Sequence, residues 1–330
     1  MAKLTKQELK DKLAFNANDN KVEIYIPNTI FALLANDDEL NKTNGKRRST
    51  HVAEAYCYVV LTTYLYRHCK YGWMEDASMK ALQEMIGFSY DYKKFNYVIK
   101  KDGVLDKLGL TKTIPIKDAP VDYEMLEGGF VEFYTQADLD GMDDPRNVQE
   151  RKEMGLYKNT KNAKVKEPQF ALYGEDGEYG YGTFFGYIDG DNVANTHKID
   201  MDVFIECMTN ENLGCTAFYL YSYLQWKCDI SQGVAHSIEI GLDKIANDTG
   251  VLRGARDTAL HGLKAHNLIN CTPAPFIVGG FKGEGANIYS IRGMKGYTAQ
   301  AEKYTVRTLI PVEKFEMTAE VSLNKKREDK

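Results

Sequence analysis

A chain of 330 residues, 43% apolar and 27% charged, is long enough for two or three cored domains and too apolar for wholesale disorder. Its formal net charge of −5 argues against a protein that coats nucleic acid non-specifically, though not one with a single basic face. Cys57, Cys69, Cys207, Cys215, Cys228 and Cys271 include no C-x-x-C pair, which argues against zinc. The first residues lack an apolar signal core and no run reaches the length of a membrane span, so the expectation is a cytoplasmic protein with free thiols and no membrane contact. Tyrosine is frequent, at 22 residues, and buried rings need partners for their hydroxyls.

In chain order, residues 3–15 predict a short charged helix with Leu4, Leu9 and Leu13 on one face. Lys21 to Pro27 alternates like a strand, and a helix with Ile30, Phe31, Leu33 and Leu34 follows. Residues 36–49 read as an exposed loop ending in Lys46-Arg47-Arg48, either solvated or a phosphate contact. A first unit spans about 50–135. It opens on the Tyr-rich helix Glu54–Arg67 and continues with a helix carrying Met79, Leu82 and Gln83 that stops at Gly87. Its second helix is expected from about Tyr90 to Leu108, capped at Gly109. Trp73 and Met74 are expected in the core. A wing would pair residues 111–117 with 130–135 across an acidic tip.

Residues 136–205 fit neither unit. An acidic turn, Asp138 to Asp144, gives way to a basic segment with Arg146, Arg151, Lys152, Lys158, Lys161, Lys164 and Lys166, then a Gly- and Tyr-rich stretch at 170–190. The same plan then recurs over about 199–292. A second Tyr-rich helix, Thr216–Lys227, precedes a helix with Leu242, Ile245 and Ala246 that ends at Gly250. A second helix runs from about Ala255 and is capped at Asn267. Two extended runs, 275–278 and 287–291, flank a Gly-rich turn. Two short helices joined through such a turn and followed by a hairpin make a winged helix-turn-helix. The expected division is 1–135 and 206–300 as winged domains, 136–205 as insert and 301–330 as tail, with a strand at 304–311.

No catalytic constellation is visible. There is no P-loop, no G-x-S-x-G and no H-E-x-x-H, and Gly180-x-Gly182 lacks a βαβ context. Asp189-Gly190-Asp191 begins like a calcium loop, but Ala194 and Asp200 stand where Gly and Glu are required. The chain is therefore read as no enzyme, with no cofactor and no metal. What remains is groove chemistry. The second helix of such a unit puts its first residues on base edges, and Arg forks onto guanine while Asn suits adenine. In the C-terminal unit these residues are Arg253, Arg256 and Thr258, with Lys264 and His266 further along and Lys282 at the wing tip. In the N-terminal unit they are Tyr90, Tyr92, Lys93, Lys94 and Asn96, backed by Lys100 and Lys101. The bland reading is that these charges are solvated faces of a protein-interaction scaffold.

The strand and helix KVEIYIPNTIF, the helix AYCYVVLTTYLYRH and the stretch MKALQEMIGFSYDYKKFNYVIKKDGVLDKLGL resemble the RepA_N-type winged-helix replication initiators of plasmids and phages of low-GC Gram-positive bacteria. The resemblance covers roughly the first third of the chain. It implies an α+β protein of two winged helix-turn-helix domains that binds double-stranded DNA in replication initiation or transcription control. A homodimer and host replication or transcription proteins are the further partners expected.

Overall fold

Ser49–Arg67 and Cys215–Asp229 carry apolar or tyrosyl side chains around their whole circumference, and helices of that kind are buried on all sides. They pack against each other at the centre of the structure. The computed structural model describes residues 3–16, 19, 24–41, 49–90, 92–125, 131–142, 146, 149–150, 153, 163–171, 195–230, 236–274, 276–278, 286–306 and 309–311. Mixed α+β with small sheets, the chain begins with α1 (Lys6–Lys12), β1 (Tyr25–Pro27), α2 (Thr29–Asn36), α3 (Asp38–Asn41) and α4 (Ser49–Arg67). Next come α5 (Met79–Met85), α6 (Asn96–Ile99), α7 (Val104–Lys107), β2 (Thr111–Pro115), β3 (Pro120–Met125), β4 (Val131–Thr135), α8 (Gln136–Met142), β5 (Lys164–Pro168) and β6 (Thr196–Lys198). The rest is α9 (Met201–Thr209), α10 (Cys215–Asp229), β7 (Ser237–Ile240), α11 (Leu242–Thr249), α12 (Arg253–Ala265), β8 (Ile269–Thr272), β9 (Phe276–Val278), β10 (Asn287–Ile291) and β11 (Leu309–Pro311).

Phe31 of α2 sits between the two central helices. The rings of Tyr56, Tyr219, Tyr223, Trp226 and His197 all lie within 5.6 Å of its centroid. The tyrosyl hydroxyls find the partners that burial demands. Tyr219 donates to Thr249 O at 3.1 Å and Tyr223 to Asp248 at 2.6 Å, which fastens α10 to the end of α11. Burial holds His197 neutral, its pKa lowered to about 3. Its Nδ1–H donates to Asn28 Oδ1 at 2.8 Å, and Tyr56 donates to the bare Nε2 at 2.7 Å. A single cluster of buried side chains runs from Leu9 to Tyr289 through both helix sets.

Four positions expected as helix caps all have positive φ: Gly87 and Gly250 at +90° and +69°, Gly109 and Asn267 at +69° and +55°. The first pair follows α5 and α11, and the second precedes β2 and β8, so both halves turn the chain at matching points. Ser78 caps α5 by accepting from Ala81 N, at 3.3 Å.

The halves differ between the caps. The expected helix 90–108 is broken into α6 and α7. Lys100 is extended, Asp102 has φ +57°, and a Cβ on Gly103 would meet Tyr97 O at 2.6 Å and Val98 O at 2.7 Å. The Asp102-Gly103 dipeptide is a turn signal that overrides the helical spacing around it. The expected pairing of 111–117 with 130–135 is also corrected. β2 pairs antiparallel with β5, Thr111 opposite Pro168, while β4 pairs with β3. Lys166, counted above with the basic segment, explains this: it is buried and donates to Asp106 at 2.6 Å, Thr113 at 2.8 Å and Lys100 O at 3.2 Å. In the second half the expected hairpin of 275–278 with 287–291 is corrected too: β10 lies between β7 and β8, antiparallel to both, and β9 pairs parallel with β11 instead.

Smaller corrections follow the same logic. Trp73 is 44% exposed rather than core, whereas Met74 is buried. The loop at 36–49 contains α3, and the acidic turn from Asp138 is part of α8. Lys46-Arg47-Arg48, Arg151, Lys152, Lys158, Lys161, the Gly- and Tyr-rich stretch from 172, Asp189-Gly190-Asp191 and the tail beyond 311 lie outside the described residues.

Replacing Phe31 with Ala empties the space shared by five rings. The expected cost is about 3–5 kcal/mol, read by urea unfolding. Because one core serves both halves, the transition should stay single.

Candidate nucleic-acid interface

α11, the turn Gly250-Val251-Leu252 and α12 link β7 to β8; α12 meets β8, while α10 packs on β7 and β10. Leu260 and Leu263 face the core, and Arg253, Gly254, Asp257, Thr258 and His261 face outward. The stripe 253, 257, 261 follows from helical spacing. Arg253 is 89% exposed at its side chain, as a base-reading residue must be.

Arg256 is not available to a base edge. Its side chain is buried; Nη1 donates to Leu242 O at 2.7 Å, and Nη2 meets Asp257 at 2.7 Å. It ties the start of α11 to α12, an i+3 step round the helix from Arg253 and hence on the inner side. His266 is likewise buried, with its Nδ1–H donating to Thr298 O at 2.9 Å. Lys264 is half-buried, its Nζ 4.5 Å from the centroid of the Tyr304 ring. Thr258 is exposed, and Lys282 lies outside the described residues.

In the first half Tyr90, Lys93, Lys94, Asn96, Lys100 and Lys101 are exposed. Tyr90 donates to Asp76 at 3.3 Å, and Asn96 accepts from Gln83 at 3.2 Å. Tyr92 is half-buried and stacks on Phe88 at 4.6 Å, so it props the turn. The break at Gly103 leaves Lys100 and Lys101 on the turn between two short helices rather than along one long face.

The two helix pairs meet. Ile86 and Gly87 line one side of a cleft of about 410 Å³, and Gly254 and Thr258 line another. Cys215 Sγ donates to Ile86 O at 3.3 Å. Glu54 of α4 also lines this cleft, and neither the spacing rules nor the motifs singled it out. Its signal was a lone carboxylate inside the apolar run VAEAYCYVV. Burial raises its pKa to about 8, so at neutral pH the side chain is largely a neutral acid. Oε2 has no hydrogen-bond partner and lies 3.8 Å from Nε2 of His51. Among the described residues no helix is long and apolar enough to cross a membrane. No protein-family model, no curated protein and no solved structure matches this chain.

Two outcomes test this geometry. Arg256→Ala should destabilise the fold by about 2–3 kcal/mol, because Leu242 O loses a charged donor. Arg253→Ala should stay within about 0.5 kcal/mol; chemical denaturation of both variants measures the contrast. Glu54 supplies the pH test. Between about 4.5 and about 8 the folded chain holds a proton that the unfolded chain has released. Stability from this group is therefore complete below about 4.5 and is lost as pH rises through about 8. Glu54→Gln should flatten that decline and be more stable than the parent at pH values above the window, as thermal melts across the range will report.

Proposed function

We propose that this chain is a sequence-specific double-stranded DNA-binding protein built on two winged helix-turn-helix units that share one core. The observation that carries the reading is the stretch from β7 to β10. It comprises a strand, two helices joined by a three-residue turn, and a hairpin whose last strand lies between the other two. The second of those helices turns exposed Arg253 and Thr258 outward. In a winged unit that helix enters the major groove, and the strands buttress it. The cap positions of the first half match, and there the exposed cations Lys93, Lys94, Lys100 and Lys101 suit phosphate oxygens. In this reading β2 and β5 are the first unit's wing strands. The resemblance of the N-terminal third to RepA_N-type initiators favours replication initiation on a plasmid or phage, with transcription control as the near alternative.

The division of labour follows from the side chains. Lysines on a turn act as point charges and position the duplex, whereas the exposed Arg on a helix start discriminates bases.

The test is selection from a random-sequence duplex pool, then binding of the enriched and random duplexes across salt. Log K should fall linearly with log salt. Changing Lys93 and Lys94 together to Ala should weaken both duplexes alike and reduce the salt slope by roughly two. Arg253→Ala should cost about 1–3 kcal/mol on the enriched duplex and much less on the random one. Binding that is flat in salt, with no sequence enriched, would leave a protein-interaction scaffold as the reading.

A further inference from the structure

After β10 the chain does not leave the second unit. It crosses the end of α12 and then runs back along it. Thr298 N donates to His266 O at 3.1 Å, and Glu302 N donates to Ala265 O at 2.7 Å. Both bonds satisfy carbonyls at the C-terminal end of the helix, which otherwise lack partners. Glu302 accepts from Asn267 Nδ2 at 2.8 Å. One turn back along the helix the Tyr304 ring lies edge-on to His261, with centroids 5.3 Å apart, and its hydroxyl bonds to Nδ1 of His261. Lys264 Nζ sits over the same ring. Further on, β11 pairs parallel with β9, Leu309 opposite Phe276 and Pro311 opposite Val278. The segment therefore reaches from the end of α12 towards β9.

We infer that residues 297–306, anchored by β11, form a strap that holds α12 out of a DNA groove, so that binding through this helix requires the strap to lift. The inference rests on the DNA-binding reading above. His261 continues the outward stripe of Arg253 and Asp257, so Tyr304 stands on the face a groove would receive. An α-helix with side chains is about 10–12 Å across, and the major groove is about 12 Å wide. The bare helix fits; the helix with an aromatic strap on its outer face does not. The first turn remains open, with Arg253 exposed, so the helix can meet a duplex at its tip but cannot seat. A strap that opens in a fraction of molecules lowers apparent affinity by that fraction.

The experiment uses the full-length chain and the variant Glu302→Ala/Tyr304→Ala. The first readout is modification of His261 by diethyl pyrocarbonate, followed by mass spectrometry. The second is affinity, at fixed low salt, for the duplex enriched from the random pool. The variant should speed modification of His261, whose Nδ1 is freed from the Tyr304 hydroxyl, and bind roughly tenfold more tightly. Adding Arg253→Ala should remove most of that gain, because the gain runs through α12. Glu302→Gln/Tyr304→Phe keeps both volumes and loses only the carboxylate charge and the hydroxyl. It should give a smaller gain in the same direction, and it carries the test if the Ala variant fails to fold. His261 opening with unchanged affinity, or no opening at all, overturns the strap while leaving the DNA reading intact. His261 opening with no duplex bound by either parent or variant overturns the DNA reading, and the strap's role with it.

Discussion

The packing of α4 on α10 around Phe31 is the constraint on which the rest depends. Neither helix has a polar face, so neither is stable unless the other elements cover it. α2 and α11 supply that cover. Aromatic pairs at these separations add about 0.5–1.5 kcal/mol each beyond the area they bury, and Phe31 takes part in five. The cost is a set of hydroxyls and one imidazole taken out of water. The chain meets it by giving each a partner on a different element, as Tyr56, His197 and Asn28 do across α4, β6 and the start of α2. Polar satisfaction and element placement are thus one requirement.

With both helix pairs on one core, their outward faces are fixed relative to each other. The cleft shared by Gly87 and Gly254 sets the loop after α5 beside the start of α12. Two proposed reading elements held this way act as one rigid unit, which cuts the ordering cost of engaging a long site. The halves differ in their outward helices. The first is cationic and broken at Gly103; the second has a continuous helix that carries a single exposed arginine at its start and is crossed by the chain's own C-terminal segment.

Much of the fold was legible because its signals were local. Gly87, Gly109, Gly250 and Asn267 mark turns that few other residues tolerate, and the Tyr-rich runs marked buried helices. Pairing was not legible. β2 pairs with β5 rather than the nearer β4, and Lys166 finds Asp106 and Thr113 across 60 and 53 residues, contacts that no spacing rule encodes. The site was legible by stripe rather than by residue type. Arg253 and Arg256 look equivalent in sequence, yet helical phase sends one to solvent and the other under Leu242. Glu302 and Tyr304 carried no sign at all, since their partners His261 and Asn267 lie on a different element.

The central claim, that both helix pairs present one interface to duplex DNA, is tested most directly by hydrogen–deuterium exchange of the full chain with and without a duplex enriched from a random pool. The account predicts protection both at 92–101 and at 253–261, appearing together at the same duplex concentration, with the α4 and α10 core unchanged. Protection in neither segment, or confined to the exposed surface around Trp73, would contradict it.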